Sequence, residues 1–147
     1  MDLLSGNEAF QTYAICVAIL VIKMIFSAGY TGTMRNKAKG YVNAEDAKLS
    51  GSGAAAAPDE KSEVAHALRI QRNDLENIPL FFAVGLVYVL SGASAFGAAA
   101  YCWTFTLSRI AHTVAYTRQM QPARAICWII GLLANVGMAV NVIWKNL

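Results

Sequence analysis

Charge is the first thing this sequence is short of. Asp, Glu, Lys and Arg make up only 14% of its 147 residues, where a soluble domain carries roughly a quarter. Hydrophobic residues make up 56% and the mean hydropathy is +0.43, which excludes both an ordinary water-soluble domain and a disordered chain. Cysteine is scarce too. Cys16, Cys102 and Cys127 all lie in apolar stretches with no CxxC or Cys/His spacing, so they read as buried thiols, and neither a disulfide framework nor a metal site is expected. The net charge of +3 is small and scattered, so no nucleic-acid partner is expected. The N-terminus, MDLLSGNEAF, has no Lys or Arg and carries Asp2 and Glu8. Without a basic n-region it does not read as a cleavable signal peptide, and the first apolar segment is expected to stay in the mature protein.

What the chain does have is four apolar segments, at about Phe10 to Thr31, Ser62 to Leu90, Phe96 to Tyr116 and Pro122 to Trp144. They predict an all-α integral membrane protein: a four-transmembrane-helix bundle forming one domain over residues 1–147. The links at 91–95 and 117–121 are short, so the helices they join should be antiparallel neighbours. The long connection is 32–61. Its middle, LSGSGAAAAPDEKSE, reads as flexible, whereas YVNAED before it is expected to be ordered. That loop holds Arg35, Lys37, Lys39, Lys48 and Lys61, and the third connection holds Arg118, with Arg124 just after it. The other ends have almost no basic residues, so both these loops are expected to face the cytoplasm.

The second segment organises the rest. Its apolar run, Ile78 to Leu90, is too short for a bilayer, which needs about 20 residues. A membrane helix here must begin near Ser62 or Val64, drawing Arg69, Arg72, Asn73 and Glu76 into or beside the hydrocarbon. Their offsets of 0, +3, +4 and +7 put them on one helical stripe. The third segment repeats the spacing with Arg109, His112, Thr113 and Tyr116, near its cytoplasmic end. Two polar stripes at one depth can converge on a pocket in which guanidinium groups clamp carboxylates and Glu76 receives an ammonium. The structural alternative is that Arg72 and Arg109 pair with Asp74 and Glu76, or snorkel to the surface. Lys23, in the middle of the first segment, is expected to form a buried ion bridge with Asp74, which points off the ligand stripe. Pro79 is expected to kink the second helix.

RNDLENIPLF, SRIAHTVAY and the NAED segment, with the first-segment Ile22-Lys23-Met24, resemble the MAPEG superfamily, membrane-associated proteins of eicosanoid and glutathione metabolism. The likeness covers nearly the whole chain and is strongest to the branches of microsomal glutathione transferases and microsomal prostaglandin E synthase. It implies a homotrimer with glutathione bound at each subunit interface, near the cytoplasmic side. By position it implies glutathione contacts from Arg72, Asn73, Glu76, His112 and Tyr116, with Arg35 reaching in from a neighbouring subunit and Arg69 and Arg109 supporting the pocket. Arg124 matches the arginine that stabilises the glutathione thiolate, with Trp128 one turn further on, and Asp46 matches an aspartate given a catalytic role in the synthase. A cation beside the sulfur favours the ionised nucleophile.

Ala125 stands where the synthase branch has a serine, which weighs towards the transferases, and the segment from Tyr116 to Arg124 is one residue shorter than the family pattern. The resulting expectation is a glutathione transferase acting on lipophilic electrophiles or lipid hydroperoxides that arrive through the membrane. The alternatives are a glutathione-dependent prostaglandin E synthase and a non-catalytic lipid-binding scaffold. The membrane would be the endoplasmic reticulum of a eukaryote or the inner membrane of a bacterium.

Overall fold

The computed structural model of the chain describes residues 6–39, 41, 43–49, 51 and 62–147. Most of the stretch read as a flexible linker, together with Met1 to Ser5, Val42 and Lys61, lies outside the described residues. Five helices are present among those described: α1 (Glu8–Ala38), α2 (Ala44–Leu49), α3 (Ser62–Leu90), α4 (Ala95–Thr117) and α5 (Ala123–Asn146). Each of the four expected segments is helical, and α2, a short helix that begins in the NAED segment, is a fifth. Three helices, α1, α3 and α5, are long and apolar enough to cross a membrane. At 23 residues α4 has the length, but Thr104, Thr106, Ser108, Arg109 and His112 make its sequence more polar.

The helix ends have local causes. The side chain of Asn7 caps α1 by accepting a hydrogen bond from the backbone N–H of Phe10 at 3.1 Å, and Ser94 caps α4 by accepting from that of Gly97 at 3.1 Å. The C-terminus of α1 corrects the expected end at Thr31: the helix continues two turns, to Ala38, before Lys39 turns left-handed at φ 49° and closes it. Arg35 and Lys37 in its last turn favour this extension through the helix dipole. The start of α3 at Ser62 is the one that the short apolar run demanded, and the helix runs on through Pro79 to Leu90.

Packing places α1 against α3 and α4, and α5 against α4 and α3, with α1 and α5 at opposite corners. The Phe81 and Phe105 rings stack at 4.4 Å in the centre, between α3 and α4. The Tyr13 hydroxyl donates to the Phe82 carbonyl at 2.7 Å, which ties α1 to α3. At Gly137 a Cβ would lie 2.5 Å from the Tyr101 ring, so this glycine lets α5 close on α4. Cys16 and Cys102 are buried, Cys127 is half-buried, and all three are free thiols. The outward faces are apolar: Phe26 is 73% exposed, Leu133 61% and Trp144 82%. So much exposed apolar surface on one chain calls for lipid or further subunits to cover it.

Candidate functional site

The two polar stripes lie side by side and differ in aspect. On α3, Arg69, Arg72 and Glu76 are exposed, and the Arg72 Nε donates to Glu76 Oε1 at 3.0 Å. On α4, Arg109 and His112 are buried, while Thr113 and Tyr116 are half-buried. The α3 stripe is open to a ligand, and the α4 stripe mostly points into the bundle.

The link between them is a charged cluster under the open face. The expected Lys23–Asp74 ion pair is present. Asp74 also receives the Ser27 hydroxyl at 2.7 Å and the Arg109 guanidinium at 3.3 Å. Two cations thus share one carboxylate, an arrangement that needs every hydrogen bond it can make at membrane depth. Arg109 further donates to the Asn73 side-chain oxygen and, at 3.4 Å, to its backbone carbonyl. Since the oxygen of the Asn73 amide faces Arg109, its NH2 group is left to meet an acceptor. The pairing of Arg109 with Asp74 and of Arg72 with Glu76 is the structural alternative that the sequence offered, whereas the participation of Ser27 was not read from it. Helical offsets grouped Arg109 with the ligand stripe, although Ser27, one turn beyond Lys23, carried a readable signal.

A second cluster gathers around Tyr116. The His112 ring stands edge-on to it at 5.6 Å, the His66 ring at 5.3 Å, and the Arg124 guanidinium lies 4.5 Å from its centroid. This is a cation–π geometry that holds a positive charge at the N-terminus of α5. With the Gln121 amide turned so that its oxygen faces the guanidinium, Gln121 accepts from Arg124 Nε at 3.0 Å. Even with the shortened connection, Arg124 comes to the stripe formed by His112 and Tyr116. Trp128, one turn on, is 39% exposed. His66 is a site neighbour that was missed; it lies three residues before Arg69, where a helical stripe extended backwards would have found it.

Arg35 and Asp46 sit elsewhere. They line a polar cleft of about 350 Å³ with Asn36 and Tyr41, between the extended end of α1 and the short α2. The Tyr41 hydroxyl donates to Asn36 Oδ1 at 2.9 Å, and the Asn43 amide donates to Asp46 Oδ2 at 3.4 Å. The Arg35 Nε is buried without a hydrogen-bond partner among the described residues. None of Arg69, Arg72, Asn73 or Glu76 lines that cleft.

Chemically, the arrangement offers exposed guanidinium groups for carboxylates, a carboxylate for an ammonium, an amide donor, and a fixed cation above a phenol ring. These suit a small zwitterionic ligand rather than a metal ion, and no metal-binding group of His, Cys, Asp and Glu occurs among the described residues. The likeness to known proteins spans nearly the whole chain. A profile described as "MAPEG family" matches residues 13–144. Prostaglandin E synthase of Bos taurus is 34% identical over 146 residues, covering 99% of this chain and 94% of that protein. The Homo sapiens prostaglandin E synthase is 33% identical over 145 residues, covering 98% and 94%. Microsomal glutathione S-transferase 1 of Bos taurus is 34% identical over 147 residues, covering 98% and 95%.

Proposed function

From the chain's membership of the MAPEG family and the geometry above, we propose that this integral membrane protein is an enzyme: a glutathione transferase that conjugates glutathione to lipophilic electrophiles or reduces lipid hydroperoxides. The observation that carries this reading is Arg124 held over the Tyr116 ring, in one cluster with His112 and His66.

In this reading Arg69 and Arg72 bind the glutathione carboxylates and Glu76 binds its ammonium group. The existing Arg72–Glu76 pair reserves both side chains and opens when the ligand takes them. An exposed (i, i+4) pair is worth only about 0.3–0.5 kcal/mol, so opening it is easy. Asn73 donates its amide, with Arg109 behind it, and His112 and Tyr116 close the far wall. Arg124 stabilises the thiolate, with Trp128 beside the sulfur. The sulfur attacks an electrophilic carbon, a C–S bond forms, and the leaving group departs with its electron pair. With a hydroperoxide, two glutathione molecules are oxidised to the disulfide and an alcohol and water are released.

Assembly and orientation belong to the same proposal. The chain forms a homotrimer, and the apolar outer faces, such as those carrying Phe26 and Leu133, support the need for covering partners. Arg35 completes the site of a neighbouring subunit, in keeping with its place in a cleft apart from its own chain's stripe. The acceptor binds in an apolar groove between subunits, and the site faces the cytoplasm from the endoplasmic reticulum or a bacterial inner membrane. Prostaglandin E synthase activity, with Asp46 in a catalytic role, is the second reading, favoured by the similarity to proteins of that name. Ala125 after Arg124 weighs against it.

One parallel assay decides. Purified protein with glutathione is offered a chloronitrobenzene, a lipid hydroperoxide and prostaglandin H2. Conjugation or hydroperoxide reduction that depends on Arg124 supports the transferase, whereas turnover of prostaglandin H2 alone overturns it in favour of the synthase.

A further inference from the structure

Arg124 is not held in place by its own helix. It lies in the first turn of α5, which begins at Ala123 with no side-chain capping bond. That end of a helix carries the positive pole of the dipole and disfavours a cation. Its partners are the Gln121 amide, just before the helix, and the face of the Tyr116 ring on α4. A ring attracts a cation through its face only, since its edge is the positive part of the quadrupole. The torsion that turns a tyrosine ring is soft, and a quarter turn of Tyr116 would replace attraction with repulsion. Whatever fixes this ring therefore fixes the charge.

We propose that His66 is a positioning residue for the thiolate chemistry: its ring braces Tyr116 against α3 and so keeps Arg124 where the bound sulfur needs it. The proposal rests on the transferase reading, in which Arg124 stabilises the glutathione thiolate. Tyr116 is half-buried and stands one residue from the end of α4 at Thr117. Of the two imidazoles edge-on to it, His112 lies one turn back on the same helix. It moves with the Tyr116 backbone and cannot fix the ring relative to α3. His66 comes from α3 itself, at 5.3 Å with the planes at 60°. Among the described residues it is the one aromatic contact joining Tyr116 to the helix that carries Arg72, Asn73 and Glu76. The Arg109 bonds to Asn73 and Asp74 tie α4 to α3 two turns earlier and leave the Tyr116 ring free to turn. His66 also lines a polar cavity of about 340 Å³ with Glu63 and Gln119, which neither Tyr116 nor Arg124 lines, so the imidazole walls the cavity off from the ring. Its Nε2 is buried with no hydrogen-bond partner among the described residues. A buried nitrogen without a partner costs stability, so the ring edge is the useful part of this side chain.

The test separates ring from nitrogen and thiolate from binding. The full chain in detergent is saturated with glutathione across a range of pH, and the ultraviolet absorbance of the thiolate is followed. S-methyl glutathione, which has no thiol to ionise, reports binding alone by calorimetry. In His66→Ala the bound thiol should ionise about one pH unit higher, a tenfold change in that equilibrium. Its kcat should fall about tenfold, with S-methyl glutathione bound as by the wild type. His66→Gln, which keeps a hydrogen-bonding end and loses the ring, should behave in the same way, and it carries the test should His66→Ala fail to elute as the wild type does. His66→Phe, which keeps a ring edge and drops both nitrogens, should restore ionisation and kcat. All three replacements are neutral, and Glu63 and Arg69 are present throughout, so a difference among them reports the ring. Arg124→Ala is run alongside. Normal ionisation there would remove the transferase reading's thiolate cation, and this proposal with it. With Arg124→Ala impaired, wild-type ionisation in His66→Ala would overturn this proposal alone. A parallel loss of S-methyl glutathione binding would do the same, as would full activity in His66→Gln with failure of His66→Phe.

Discussion

The outward and inward faces of α3 hold charge on different terms. Outward, the Arg72 and Glu76 side chains pair while 81% and 56% exposed. Inward, Lys23 and Asp74 pair while only 10% and 2% exposed. The first pair can exchange its partners for water or a ligand at little cost. The second, with Arg109 and Ser27 bound to the same carboxylate, can exchange them for nothing. A single helix thus carries a replaceable charge pattern and a fixed one about half a turn apart, and the fixed one sets the position of Asn73 at their border.

The sharpest way to break that contrast is to remove the shared carboxylate. Asp74→Ala leaves Lys23 and Arg109 facing each other without an anion, and we expect a loss of roughly 3–5 kcal/mol, read as earlier thermal unfolding in detergent. If the variant melts like the wild type and has lost only ligand affinity, the inward face is a binding face after all. Arg124→Ala comes next. Its turnover should fall about a hundredfold while glutathione affinity changes little, since the guanidinium matters chiefly to the charged sulfur. Normal formation of the thiolate, followed by its ultraviolet absorbance in stopped flow, together with unimpaired conjugation would remove Arg124 from that role.

On the outward face, Glu76→Gln should weaken glutathione binding about tenfold, the value of one charge-assisted contact, with the melting temperature unchanged. Arg35→Ala and Arg72→Ala should each impair conjugation on a similar scale. A trimer mixed from the two contains one kind of interface with both arginines intact. Purification through two different tags should therefore recover part of the wild-type activity, and failure to recover any would mean that Arg35 serves its own chain or none. The smallest effect is expected from Lys23→Met. Because two cations share Asp74, removing one leaves a matched pair with Arg109, and the loss should stay below about 1 kcal/mol, the scale of a single net hydrogen bond. A collapse as large as that of Asp74→Ala would show that both cations are required.

The sequence made some of this plain for physical reasons. An apolar run too short to cross a bilayer forces its helix to start at Ser62, so the length and stripe of α3 could be derived. Lys23 and Asp74 could be paired because an isolated charge at that depth is too costly to stand. The end of α1 could not be read, because hydrophobicity reports where the bilayer stops and Thr31 is where the apolar pattern fades, whereas the helix ends only where Lys39 turns left-handed. Arg109 was ambiguous for another reason: a helical offset groups residues on a face without saying which neighbour the face meets. His66 escaped because the stripe was begun at Arg69, although His66 lies three residues earlier on the same face. The short α2 has too few residues for any periodicity.

The overshoot of α1 makes the helix a ruler. From Lys23 to Arg35 the backbone is unbroken helix, so twelve residues fix the height of one above the other at about 18 Å and fix the angle between them as well. The register of the buried cluster is thereby transmitted to the cleft beside α2 without any contact between them. One alanine inserted after Thr31 would raise Arg35 by only about 1.5 Å but swing it by about 100° around the axis, aiming it at a different neighbour. Seven inserted residues would return it to within about 20° of its original direction while lifting it by about 10 Å, so direction and height can be varied separately by changing nothing but the length of one helix.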